Sequence, residues 1–158
     1  MNSFEKMSEI ELLQIHGAVI DELQRRRIVR TRNNPIGDYT EWLVCMRLQL
    51  EMQDNSQASY DAIDSAGIRY QIKGRHSEAK SVQFSAIRNL EQKGFDFVIA
   101  VIFKDDYSIR LAVKLSHVAV LQHTTYRKHV NAHILILTNK IIGQEGVTDI
   151  SHELGGIH

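Results

Sequence analysis

Residues 95–103 read FDFVIAVIF, apolar at every position but one. Side chains alternate between the two faces of a strand, so a run of this kind must be covered on both. That requirement places the run as an inner strand of a sheet covered on both faces. The flanking segments are read around this run. Residues 81–94, SVQFSAIRNLEQKG, read as a helix closed by Gly94, which makes the connection into the run a crossover. After a KDDY turn, SIRLAVKL (108–115) is a further strand, and AHILILT (132–138) is another. Residues 138–158 carry little periodicity and are expected to form an irregular tail.

Upstream, Ile10, Leu12, Leu13, Ile15, Val19, Ile20 and Leu23 recur at near-helical spacing, predicting a helix over residues 8–27. The only proline, Pro35, marks a break before a second helix, in which Asp38 and Glu41 stand in an Asp-x-x-Glu capping arrangement. LQLEMQ (48–53) alternates apolar and polar as a strand does, and DNSQAS (54–59) supplies turn residues. No repeat or linker divides the 158 residues, and 43 % hydrophobic composition suffices for one core without disulfides. A single domain is expected: an N-terminal helical extension (1–32), a core (35–103), and additional strands with a tail (104–158). The one cysteine, Cys45, reads as a packed thiol in a reducing compartment, with the cytoplasm as default. Glu5, Glu9, Glu11 and Asp21 interrupt the N-terminal apolar pattern, which argues against a signal peptide or membrane span and for a soluble protein.

Between these parts lies SYDAIDSAGIRYQIKGR (59–75). Asp64-Ser65-Ala66-Gly67 reads as a type I turn with Gly67 in the left-handed position that follows it. A three-residue loop then sets Asp64 opposite Ile68 and Asp61 opposite Gln71, and the two-residue period adds Ile63, Arg69 and Lys73 to that face. Asp61, Gln71 and Lys73 converge in this register. A two-residue loop would pair Asp61 with Tyr70 and scatter them.

The order helix, strand, strand with an acid, strand with Gln-x-Lys, helix, strand resembles the PD-(D/E)xK nuclease superfamily. The likeness is to its variant with glutamine in place of the acid, as in Mrr-like nucleases. IGDYTEWLV resembles the first core helix with its glutamate at Glu41, YDAID the strand with the metal-binding Asp61, and QIKGR the last motif with Gln71 and Lys73. The resemblance spans residues 35–103, and the three stretches together also resemble a family of small uncharacterised proteins of that superfamily. It implies an α/β fold with a restriction-endonuclease-like core, a mixed central β-sheet flanked by helices with an added N-terminal helix, and hydrolysis of DNA phosphodiester bonds with Mg²⁺ or Mn²⁺, in restriction, repair or processing. Asp61 would be the principal metal ligand, with the Gln71 amide oxygen, the Ile72 carbonyl and Glu41 (through water or on a second ion) completing the shell. Lys73 would orient the attacking water and stabilise charge on the phosphoryl oxygens. Residue 60 is Tyr60 instead of the family's proline, and the neutral Gln71 removes one negative charge from the site.

The formal net charge is zero, so phosphate binding would have to come from local patches. One is Arg25, Arg26, Arg27 and Arg30; the other is Arg69, Arg75, Lys80 and Arg88. The first reads equally as a solvated helix end, Arg75 as a solvated strand end, Glu41 as a capping residue and Asp64 as a turn residue. Among the eight histidines, His129 and His133 have i, i+4 spacing but no His-Glu-x-x-His motif. A nucleic-acid-binding module that cleaves weakly or not at all, or a regulatory subunit, is the alternative to a nuclease. RNA is not excluded as a partner, and a homodimer is compatible with the small size.

Overall fold

The structure, a computed structural model, describes residues 3–54, 59–87 and 90–155. A six-stranded central sheet runs in the order β1 (Glu51–Met52), β2 (Ala62–Ile63), β3 (Arg69–His76), β5 (Phe97–Phe103), β6 (Ile109–Ser116), β9 (Val147–Asp149). A second, three-stranded sheet has the order β4 (Ser81–Ile87), β8 (Ala132–Thr138), β7 (Thr124–Arg127). The helices are α1 (Glu9–Arg25), α2 (Ile36–Leu48), α3 (His117–His123) and α4 (Ser151–Leu154). Among the described residues no helix is long and apolar enough to cross a membrane.

The apolar run forms β5, and both its faces are buried. Val98, Ala100 and Ile102 pack with Val82 and Phe84 of β4, Leu135 and Leu137 of β8, and Ala119 and Val120 of α3. Ile99, Val101 and Phe103 pack on the other face with Leu43 and Val44 of α2, Ile150, and Leu154 of α4. β3 and β5 are parallel, whereas the other neighbours in the central sheet are antiparallel, so the sheet is mixed.

The crossover that joins β3 to β5 is not the expected helix. Residues 81–87 form β4, antiparallel to β8, with a register shift between Phe84 and Ile87, and only a 3-10 turn at Leu90–Gln92 follows. Val82 and Phe84, two apart, both face the core, a strand period that the apolar residues further along had disguised as a helical one. Nor does Gly94 close a helix: a Cβ there would lie 2.4 Å from the Ser59 Cβ, so the glycine serves a close approach of two chain segments.

The expected irregular tail is also corrected. β9 adds a strand to the edge of the sheet, Ile150 and Leu154 are buried, and Ser151 Oγ accepts from the Ala112 amide at 2.8 Å. A three-residue strand and a four-residue helix are too short to leave a readable period. α3 and β7 had no place in the sequence reading.

Ser8 caps α1 as a full capping box with Glu11, whose Oε2 accepts from the Ser8 amide at 2.8 Å. The second helix starts at Ile36, directly after Pro35, so the expected box on Asp38 and Glu41 does not form. It runs through Leu48 and ends on a left-handed Gln49 (φ 56°), leaving only Glu51–Met52 of the alternating stretch as strand. α2 lies close on β3 because residue 74 is glycine: a Cβ at Gly74 would sit 1.8 Å from Thr40 Oγ1. The next residue of α2 is Glu41.

Candidate active site

The β2–β3 hairpin adopts the three-residue register. Ala62 pairs with Tyr70 and Ile63 with Arg69, the Asp64 amide donates to Ile68 O at 3.0 Å, and Gly67 has φ 84°. Asp64 is a turn residue: its Oδ1 accepts from the amides of Ala66 and Ile68, each at 2.9 Å, and its Oδ2 from the Tyr70 hydroxyl at 3.1 Å. The Ile68 amide is the leading reason its carboxyl stays below the usual range.

One step beyond the Ala62–Tyr70 pair, Asp61 leaves the strand pairing. The Asp61 amide donates to Tyr70 O at 2.8 Å, and the Asp61 carboxylate, not a strand carbonyl, accepts from the Ile72 amide at 2.6 Å. Asp61 thus caps β3 where β2 leaves it, and strand geometry turns the Ile72 carbonyl to the same edge as its N–H. Burial raises the Asp61 pKa, against the Ile72 amide and the charges of Lys73 and Arg30, which favour the carboxylate.

Glu41 reaches this edge from α2, with a side chain only 16 % exposed. Burial first, and then the negative charge of Asp61, push its carboxyl up to about 7. Arg30, which donates through Nη2 to Glu41 Oε2, opposes the rise without cancelling it, and Lys73 opposes it more weakly. One turn along the helix, burial and the same two carboxylates push the Cys45 thiol up to about 11, which makes it a packed thiol and no nucleophile. Gln71 places its Oε1 in the interior with no hydrogen-bond partner among the described residues. Lys73 is half-buried and makes no ion pair among the described residues.

Asp38 holds Arg30 in place. Its Oδ2 accepts from the amides of Arg30 and Thr31, each at 2.8 Å, and from the Thr31 hydroxyl at 3.2 Å, and the Arg30 guanidinium lies 3.7 Å from its Oδ1. Burial works against the charge of Asp38, yet these donors and Arg30 bring its pKa below the usual value. Neither the Arg30–Glu41 contact nor the role of Asp38 had a local signal, because the partners come from the loop before α2 and from α2 itself.

The expected basic patches do not form as lines of free cations. Arg69 shares the strand face of Gln71 and Lys73, but its guanidinium is bidentate on Asp96, with Nε and Nη2 each at 3.1 Å, and its amide bonds the same carboxylate. It ties the start of β3 to the segment leading into β5. Arg75 donates to Gln83 O at 2.6 Å, joining β3 to β4, while Lys80 is exposed. Arg88 lies outside the described residues. In the first patch Arg25 and Arg26 both pair with Glu22, as a solvated helix end does, Arg27 is an exposed residue with φ 59°, and Arg30 alone belongs to the site.

Among the described residues no three His, Cys, Asp or Glu side chains gather as a metal-binding cluster. The oxygen donors at this edge are the Glu41 and Asp61 carboxylates and the Ile72 carbonyl, and the buried Gln71 amide oxygen lies on the Val98 face of the same strand. That is a hard donor set of low charge. Hard oxygen donors, one of them the buried and unpartnered Gln71 Oε1, fit a hard divalent ion. No protein-family model matches the chain, and no curated protein matches it.

Proposed function

We propose that the protein is a metal-dependent phosphodiester hydrolase acting on DNA, with a restriction-endonuclease-like core and the Gln-x-Lys form of the PD-(D/E)xK site, working in restriction, repair or processing. The observation that carries this reading is the buried, unpartnered Gln71 Oε1 one residue before Ile72, whose amide bonds the Asp61 carboxylate beside Glu41. Asp61, Gln71, the Ile72 carbonyl and Glu41 would hold Mg²⁺ or Mn²⁺. Such an ion, when bound, polarises a phosphoryl oxygen and makes a bound water acidic. Lys73, which makes no ion pair among the described residues, orients the attacking water and offsets charge on the phosphoryl oxygens. Arg30, held by Asp38 against Glu41, supplies a second positive group at the rim, where a phosphate can take over its contact with Glu41.

A second reading, a nucleic-acid-binding module that cleaves weakly or not at all, is favoured by one specific observation: only two carboxylates are present, and Arg30 already occupies one of them. Divalent-ion-dependent cleavage of single-stranded, duplex, nicked and branched DNA, with RNA in parallel, tests both. The nuclease reading requires cleavage that chelation and Asp61→Asn each abolish. Salt-sensitive binding without cleavage selects the second reading, and neither activity defeats both.

A further inference from the structure

The N-terminal helix carries far more apolar surface than the body covers. Of the seventeen residues of α1 only Ile20 is buried, and on one side of the helix Leu12 is 39 % and Val19 51 % exposed. Apolar exposure of this density on one helix marks an interaction face. Its pattern identifies the partner. Leu12, His16, Val19 and Leu23 follow one another at steps of four, three and four, a heptad seam, and the same steps extended outward reach Glu9 at one end and Arg26 at the other. The seam is therefore apolar in the middle, acidic at its first position and basic at its last.

We infer that α1 pairs with α1 of a second copy of this chain, antiparallel about a two-fold axis. In that arrangement, with Leu12 facing Leu23 of the partner subunit, His16 meets the partner's Val19 and Glu9 meets the partner's Arg26, so both ends close on opposite charges. A parallel pairing instead sets Glu9 on Glu9 and Arg26 on Arg26. A two-fold interface must be complementary to itself, and a seam that reverses its charge from end to end is so only when the second copy is reversed. Arg26 keeps donors free for the contact: its Nε bonds its own Glu22, and its side chain is 61 % exposed. Arg26, the C-cap of α1, has αR backbone angles, so the helical spacing holds to the end of the seam. This pairing is independent of the proposed hydrolase activity.

Sedimentation equilibrium of the full chain across the micromolar range tests it. The parent protein is expected to dimerise, and Val19→Asp to be monomeric with an unchanged circular dichroism spectrum, because that side chain packs against nothing in its own subunit's core. Glu9→Arg and Arg26→Glu, each placing like charges at both symmetry-related ends, should each weaken the dimer about tenfold or more, and the double variant should restore it. A parent protein that stays monomeric throughout, a dimer indifferent to Val19→Asp, or a double reversal no stronger than the single ones would each overturn the inference. Since α1 buries only Ile20, these surface changes leave the fold of the body intact, and retained secondary structure separates loss of pairing from unfolding.

Discussion

The guanidinium of Arg30 rests on the carboxylate of Glu41, bringing a loop and a helix together across eleven positions of sequence at the edge where Asp61 caps β3. Two cations, Arg30 and Lys73, act there on two carboxylates, Glu41 and Asp61. The protonation of Glu41 is consequently the most readable property of the site.

Removing the cation should move that titration upward. In Arg30→Gln the opposing charge is gone, while burial and Asp61 remain, so the Glu41 midpoint should rise from about 7. Carboxyl chemical shifts followed over pH by NMR measure it. A midpoint that falls or stays fixed would mean that Arg30 does not act on Glu41 in solution.

Stability should fall as pH rises through the same range. Because the folded-state pKa of Glu41, about 7, lies above the ordinary value of 4.5, the native state holds a proton that the unfolded chain releases. The stabilisation is complete below the unfolded value and is lost as pH climbs through the folded one, a change on the order of 3 kcal/mol at most. Urea unfolding at a series of pH values should show this decline in the parent and lose most of it in Glu41→Gln. Equal slopes in the two proteins would refute the shift.

Gly74→Ala should destabilise the fold by about 1–3 kcal/mol, since the new methyl would overlap Thr40 Oγ1 and push α2 from β3. Thr40→Gly in the same chain should recover part of the loss. A fully stable Gly74→Ala protein would show that α2 does not lie this close.

Under the proposed hydrolase reading, Gln71→Glu adds a carboxylate where an unpartnered amide oxygen now lies, and should tighten Mg²⁺ or Mn²⁺ binding by roughly tenfold in calorimetry. Lys73→Ala should abolish cleavage and leave the fold intact. Unchanged ion affinity in the first variant places Gln71 outside any metal site, and full activity in the second removes Lys73 from the chemistry.

DNA binding, if present, should lose salt dependence through the cations that make no ion pair among the described residues. Arg75→Ala with Lys80→Ala should flatten the slope by roughly one for each lost phosphate contact, while Arg69→Ala, which breaks the Asp96 pair, should act on stability instead. A slope lowered by Arg25→Ala and Arg26→Ala alone would redirect the interface to the end of α1.

Several parts of this architecture are written locally and could be read without the fold. β5 is apolar on both faces, so no assumption about its neighbours was needed to bury it. The hairpin register follows from Asp64 and Gly67, which close the turn with bonds spanning no more than four residues. The order of the strand with Asp61 and the strand with Gln71 and Lys73 rests on that turn.

What required the tertiary structure is whatever joins distant segments. Residues 81–94 carry an apolar spacing that serves a helix or a strand, and pairing with β8 decided for strand. Residues 147–154 become sheet and helix only because β6 offers an edge and the core has room for Ile150 and Leu154. Arg69 looked like a free cation until Asp96, twenty-seven positions away, was brought beside it, and Arg30 looked like part of a helix end until Asp38 and Glu41 took it. A turn or a cap is stabilised within one short stretch of chain, so its residues announce it. An ion pair or a sheet partner depends on where the whole chain puts the other half, and composition leaves that undecided.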